Sequence, residues 1–191
     1  MKFKFFHLVV LIALPLLTST ANAGLITNLA IDGTATQSTT GWGGLASRAI
    51  DGNTSGLWGM GSITHTTNSQ DAWWEVDLGQ SSYIDQIVLW NRTNCCTFRL
   101  NDFNIYLDGS LVANYSENSA PTPAFKFSDL QLTGQVVRIQ LYGSLNERGS
   151  DQSILSLAEV QVNGSKVPEP STLAIFALGL MGLVARRNKK S

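Results

Sequence analysis

The stretch from Gly24 to Ser165 predicts an all-β domain, a sandwich of short strands, on three observations. No segment in it holds a helical apolar period through three turns. Two segments alternate with a period of two. Trp74, Val76 and Leu78 share one side of Trp73 to Leu78, and Val137, Ile139 and Leu141 share one side of Gln135 to Tyr142. Loop and turn signals recur between the apolar segments, at Gly41-Trp42-Gly43-Gly44, Asp51-Gly52-Asn53 and Asp108-Gly109, as in sandwiches and barrels.

Taken in order, Asn28 to Ser38 mixes small, polar and β-branched residues and reads as an edge-like strand. Leu45 to Ile50 has room for one helical turn before Asp51-Gly52-Asn53 ends it, and Gly56, Gly59 and Gly61 keep the chain irregular as far as His65. Trp73 to Leu78 is a half-buried strand. Tyr83 to Trp90 is denser in apolar residues, as expected of a strand covered on both sides, and it delivers Arg92 to the end of a sheet. Phe103 to Leu107, the Asp108-Gly109 turn and Leu111 to Tyr115 follow, then Phe125-Lys126-Phe127 and Gln135 to Tyr142. In the last strand Leu155 and Leu157 share one phase while Val160 and Val162 share the other. The switch predicts a bulge at Ala158-Glu159 that re-aims Glu159.

Both ends of the chain read as addresses. Residues 1–23 carry Lys2 and Lys4, an apolar run from Phe5 to Leu17 and the small residues Ala21-Asn22-Ala23, the pattern of a secretory signal peptide. Its removal takes His7 and leaves His65 as the remaining histidine, in a compartment where thiols oxidise. At the far end, residues 166–191 hold Val167-Pro168-Glu169-Pro170, an apolar segment from Ser171 to Ala185 and the cluster Arg186-Arg187-Asn188-Lys189-Lys190. Fifteen helical residues reach roughly 22 Å, short of a hydrocarbon core of about 30 Å, so the segment enters a membrane and spans it marginally. The combination resembles the PEP-CTERM sorting signal. That resemblance implies delivery to the cell envelope of a Gram-negative-type bacterium and processing by an exosortase; a plain tail anchor is the competing reading.

Between these ends stand six basic residues against thirteen acidic ones, a net charge near −7 that the basic termini hide. Such a domain is a poor nucleic-acid binder. Catalysis also finds little to work with. A nucleophilic serine or cysteine wants a nearby base, and one histidine is left; zinc chemistry wants a cluster of histidines and cysteines that is missing. Two-carboxylate chemistry is not excluded by counting, yet Glu75 and Asp77 follow the polar face of a strand.

The stretch from Asn91 to Leu100 holds Cys95 and Cys96, the only cysteines, flanked by Arg92 and Arg99. The pair can close on itself, stay reduced or bridge two chains; export favours the first. A closed pair is a small apolar plate between two fixed cations, a surface suited to a neutral ligand with an apolar face and hydroxyls. The ordinary readings are arginines balancing carboxylates and a solvated lone histidine. Trp73 and Trp74 suggest a stacking platform, but the alternation puts Trp74 in the core.

Ordered motifs run through the domain: Asn28-Leu29-Ala30, Ala35-Thr36-Gln37-Ser38, Ala49-Ile50-Asp51-Gly52-Asn53, His65-Thr66, Trp73 to Leu78, Asn91-Arg92-Thr93-Asn94-Cys95-Cys96 and Glu159-Val160-Gln161-Val162. The chain thereby resembles the fucose-binding lectins of eel fucolectin type, within the discoidin and coagulation-factor C-type domains. The resemblance implies a jelly roll of galactose-binding-domain type. It implies that His65, Arg92 and Arg99 donate hydrogen bonds to fucose while a joined Cys95-Cys96 packs against the sugar. It also implies calcium, held by the carbonyls of Arg48 and Asn53, the Asp51 carboxylate, Ser62 and the segment Ala158-Glu159. Two positions depart from the family. Asn94 stands where an aspartate faces the first arginine, and Ile63 and Ala158 stand where a disulfide ties the histidine loop to the last strand. Each sugar hydrogen bond is worth about 0.5–1.5 kcal/mol net, so avidity asks for several copies, as on a homo-oligomer.

The expected protein is thus an exported, non-catalytic fucose-type lectin with a fucosylated glycan or exopolysaccharide as partner. The alternative is a discoidin-like adhesion module that binds protein, matrix or lipid headgroups through apolar loops such as Leu57-Trp58.

Overall fold

The structure is a computed structural model that describes residues 25–116, 123–143 and 153–167, together with 178–179 and 181–182. The expected signal peptide and most of the C-terminal segment lie outside the described residues. Among the described residues no helix is long and apolar enough to cross a membrane.

Among the described residues eight antiparallel strands make up the domain: β1 (Thr27–Asn28), β2 (Thr34–Gln37), β3 (Trp73–Asn91), β4 (Phe103–Leu107), β5 (Ser110–Tyr115), β6 (Ala124–Phe127), β7 (Leu132–Leu141) and β8 (Leu157–Lys166). The order β1-β8-β3-β7-β4-β5 has β2 and β6 also paired to β3. Strand β3 belongs to both layers of a sandwich. Its first part, Trp73 to Asp77, pairs with β7 and, from Trp74, with β2, and its second part, Ser82 to Asn91, pairs with β8, with β7 still over Ser82 to Ile84 and with β6 over Ile87 to Trp90. Trp74 and Val76 from the first part meet Ile87 and Leu89 from the second in one apolar core, joined by Phe103, Ile105, Val137 and Ile139. The alternation in the sequence is therefore the core's inward face.

Two elements differ from the sequence expectation. The separate strands at Trp73 to Leu78 and Tyr83 to Trp90 are one nineteen-residue strand, because the ladder continues through a register shift between Asp77 and Ser82. Gly79, at φ 79°, supplies the left-handed turn that bends it from one layer into the other. The expected strand Asn28 to Ser38 is broken by a 3₁₀ turn, η1 (Leu29–Asp32), capped where Asn28 Oδ1 accepts from the Ala30 amide at 3.1 Å. Burial of Leu29 and Ala30 in the core outweighs the extended tendency of the stretch. The turn at Leu45 to Ile50 is a 3₁₀ element, η2 (Ala46–Ile50), and Trp74 Nε1 donates to the Ala46 carbonyl at 2.9 Å beneath it.

The bulge in the last strand is present. Trp90 pairs with Glu159 and the next residue, Asn91, pairs with Leu157, so Ala158 is skipped. Leu155, Leu157, Val160 and Val162 all reach the core despite their opposite phases.

Where β8 crosses β3, Gly164 lies so close to the Tyr83 carbonyl that a Cβ would collide with it. Gly164→Ala should therefore destabilise the domain by about 1–3 kcal/mol in urea unfolding, as overpacking does. A stability equal to that of the unaltered chain would show that this crossing can relax.

Candidate functional site

At the Asn91 end of β3 the loops enclose a cavity of about 330 Å³ lined by Trp42, Trp58, His65, Arg92, Cys95, Cys96 and Arg99. The structure thus brings together the five residues His65, Arg92, Arg99, Cys95 and Cys96 that the sequence singled out, and adds two tryptophans.

The lower wall follows directly from β3. Past Asn91 the chain turns back, held by Asn91 Nδ2 donating to the Thr97 carbonyl at 2.9 Å and by the Thr93 amide donating to Gly56 at 2.8 Å. Cys95 and Cys96 are joined to each other. Cys96 sits at φ 60°, an unusual backbone for a residue with a Cβ, and its carbonyl accepts from the Arg99 amide at 3.0 Å. That bond opens a 3₁₀ turn over Thr97–Arg99, which turns Arg99 inward to 8% exposure.

His65 is fixed from three sides. Its amide donates to Gly44 at 3.0 Å and its carbonyl accepts from Gly41 at 2.7 Å. A Cβ at either glycine would run into His65, which is why the loop needs them. Nδ1 lies 2.6 Å from the Thr66 carbonyl and Nε2 lies 3.0 Å from Arg99 Nη1. A guanidinium only donates, so Nε2 accepts, the proton is on Nδ1, and the imidazole is neutral. Burial lowers its pKa from the ordinary value, with Arg99 and Arg92 acting in the same direction and the Thr66 hydrogen bond opposing them.

Thr64 and Thr66 pin this segment to the start of β8. Their amides donate to Leu157 at 2.8 Å and Leu155 at 3.1 Å, and their hydroxyls accept from the same two residues at 3.0 and 2.9 Å. Four hydrogen bonds therefore tie together the segments that carry Ile63 and Ala158, where relatives of the expected family place a disulfide. Both side chains are fully buried.

Arg92 donates Nε to Asn94 Oδ1 at 2.9 Å, so the amide that replaces an aspartate still orients the guanidinium. Arg92 also lies over the Trp58 ring at 5.0 Å, with Arg48 5.8 Å from that ring centroid, and Trp58 meets His65 edge-on at 5.6 Å. Burial, and Arg99 nearby, depress the Arg92 pKa. Trp58 is thus part of the wall and not the protruding spike that Leu57-Trp58 suggested. Trp42 is 86% exposed, at φ 52° between Gly41 and Gly43, beside the same cavity. The sequence marked Trp42 only as part of a glycine-rich loop and Trp58 as an apolar spike, and neither as a wall of this mouth. The signal for Trp42 was its place among three glycines, since an indole left in water on a strained loop is costly without a use.

The second set of residues lies behind the loop. Glu159 is fully buried; its Oε1 accepts from the Gly52 amide at 3.2 Å, and its Oε2 has no partner among the described residues. Burial first, and then the Asp51 carboxylate, push its pKa up to about 7. Asp51 Oδ1 accepts from the Asn53 amide at 2.8 Å, Ser62 Oγ donates to the Ser55 carbonyl, and Arg48 donates to the Ile63 carbonyl at 3.2 Å. Among the described residues no group of three or more His, Cys, Asp or Glu gathers anywhere. A site here rests on two carboxylates and neighbouring carbonyls.

His65 generates a prediction with a definite sign. Below the ordinary value of 6.5 the unfolded chain takes up a proton that the folded imidazole refuses, so the domain loses stability as pH falls through that window. His65→Gln should flatten this slope in chemical unfolding measured across the window; an unchanged slope would mean that His65 does not carry it.

The fold and this mouth can now be set beside known proteins. The F5/F8 type C family described as a NedA-like, galactose-binding domain matches residues 48–143, and the PEP-CTERM protein-sorting motif matches residues 166–190. Fucolectin-1 of Anguilla japonica is 42% identical over 98 residues, 49% of this chain and 55% of that protein. Fucolectin-6 of the same species is 32% identical over 148 residues, covering 71% and 75%. The chain spans about half the length of the first fucolectins it matches, 55% and 51%. A solved Streptococcus pneumoniae fucose binding module, SpX-3, superposes with a TM-score of 0.62 at 32% identity over 71% of this chain and 96% of that one. The chain therefore belongs to the F5/F8 type C family of galactose-binding-like domains, with fucolectins among its relatives and a PEP-CTERM sorting motif at its end.

Proposed function

We propose that this chain is an exported, non-catalytic carbohydrate-binding module, a fucose-type lectin displayed at the envelope of a Gram-negative-type bacterium. The convergence of Arg92, Arg99 and the Cys95-Cys96 ring on one mouth carries the reading. Two planar forks of permanent donors suit the hydroxyls and ring oxygen of a sugar, and the apolar ring and Trp58 suit its carbon face. His65 props Arg99 through Nε2, so the forks are oriented before a ligand arrives. The exposed Trp42 offers a stacking surface to the rest of a fucosylated oligosaccharide. The relatives, fucolectins and a fucose binding module, support the same ligand class. The C-terminal motif supports delivery through an exosortase, with display of several copies, as a homo-oligomer or a crowded surface, supplying avidity toward fucosylated glycan or exopolysaccharide.

Calcium is part of the reading. The Oε2 of buried Glu159, close to Asp51 and without a partner among the described residues, fits a hard cation, because a buried carboxylate gains from one. Asp51 and Glu159, with the carbonyls of Arg48 and Asn53 and with Ser62 and Ala158, would hold it. Bound calcium supplies charge neutralisation and cross-linking, tying the glycine-rich loop before His65 to β8.

One observation favours a second reading. Trp42, Leu57 and Met60 are exposed on loops at the mouth end, as an adhesion module for lipid headgroups, matrix or protein would need.

On a glycan array the chain should bind fucosylated glycans, and Arg92→Ala should lower affinity about ten- to a hundredfold, since a hydrogen bond to a charged group is worth about 1.5–3 kcal/mol. Silence on fucosylated glycans together with retention on lipid vesicles would replace the lectin by the adhesion module. Calcium should raise the midpoint of thermal unfolding by several degrees over chelator, and Glu159→Gln should abolish that rise. A rise that survives Glu159→Gln would place the ion elsewhere.

A further inference from the structure

A larger cavity, of about 490 Å³, lies away from the mouth on the outer face of the sheet and is lined by Glu75, Tyr106, Asp108, Val136, Arg138 and Gln140. Its volume is within the roughly 300–1,000 Å³ of small-ligand sites. The register explains why these residues meet. Arg138 stands opposite Glu75 on β3 and opposite Tyr106 on β4, and Gln140, one step along the same face of β7, stands opposite Trp73 and Asn104. Three adjacent strands, spanning about 10 Å, thus present one continuous row.

The row is built and not merely solvated. Arg138 donates Nε and Nη2 to Glu75 Oε2 at 2.8 and 2.7 Å and lies 4.4 Å over the Trp73 ring, so its guanidinium is held in plane. Among the described residues Glu75 Oε1 receives only the Thr36 hydroxyl, at 3.4 Å. Tyr106 accepts from Asn104 at 3.1 Å and keeps its own O–H to donate, and Gln140 makes no side-chain hydrogen bond among the described residues. Asp108 is committed to the Gln135 and Val136 amides. Donors and acceptors with capacity to spare therefore alternate over an apolar floor of Tyr106 and Val136. Arg138, the one cation among the described residues of the lining, is cancelled by Glu75, which leaves Asp108 to make the groove slightly negative. Anions are disfavoured, and a ligand needs hydroxyls that both give and take hydrogen bonds.

We propose that this groove is a second glycan-binding surface, which takes a neutral, extended saccharide chain lying across β3, β7 and β4. It is independent of the mouth: neither Arg92 nor Arg99 touches it. A chain held at both places would gain avidity without any new contact at the mouth.

The test uses the full chain, isotopically labelled, in phosphocholine nanodiscs, carrying Arg92→Ala and Arg99→Ala so that the mouth is silent. Maltohexaose, cellohexaose and mannohexaose are the neutral probes and a galacturonic acid hexamer is the charged one. At least one neutral hexamer should shift the amide resonances of Val136, Arg138 and Gln140. Tyr106→Ala, and separately Gln140→Ala, should weaken that binding about tenfold, the loss of one stacking contact or hydrogen bond. Gln140→Ala removes no described bond, so its fold is not at risk. The proposal is overturned if no neutral hexamer shifts these amides, if the acidic hexamer binds better, or if both substitutions leave binding unchanged.

Discussion

Strand β3 is the member on which the rest of the molecule hangs. Every other strand except β1, β4 and β5 pairs with it directly, because its nineteen residues run up one layer, bend at Gly79 and return in the other. The bend puts Trp74 and Leu89 in one core although they are far apart along the strand. It also decides where function goes. The strand ends at Asn91, so Arg92 and the joined cysteines emerge at the rim with their direction already set.

At that rim the chain accepts costs that a purely structural loop would avoid. Trp42 and Cys96 hold left-handed backbone, and two guanidiniums share one hollow with Arg99 nearly buried. The neutral His65 makes this tolerable, since an imidazole that accepts from Arg99 adds no third positive charge. The mouth and the Glu159 region are linked through hydrogen bonds. Thr64 and Thr66 bond the His65 segment to Leu155 and Leu157, and β8 continues from there into Glu159 behind the same loop. Ordering at Glu159 thus bears on the segment that positions His65.

Much of this was legible along the chain. The faces of Trp73 to Leu78 and of Gln135 to Tyr142 lie in the core as their alternation implies, and the phase switch between Leu157 and Val160 marks a real bulge. Period-two patterns survive folding because each strand must turn one side to the core. The 3₁₀ turn at Leu29 was not legible, because burial of two residues overrode an extended-looking stretch. Nor was the continuity of β3, since a glycine between two strands looks the same whether it ends a ladder or bends it.

By itself the sequence determined the all-β class, the sorting motif, and the cast of the mouth: His65, Arg92, Arg99 and the adjacent cysteines. These are written in local patterns and residue chemistry, which need no knowledge of what lies across the core. Only the tertiary structure decided that Trp42 and Trp58 complete that mouth, that His65 is neutral with both nitrogens engaged, that Glu159 holds an oxygen without a partner among the described residues, and that Glu75, Arg138 and Tyr106 form a row. Each of these depends on residues distant in the chain meeting at hydrogen-bond range, and that is set by strand register and burial, not by spacing along the chain.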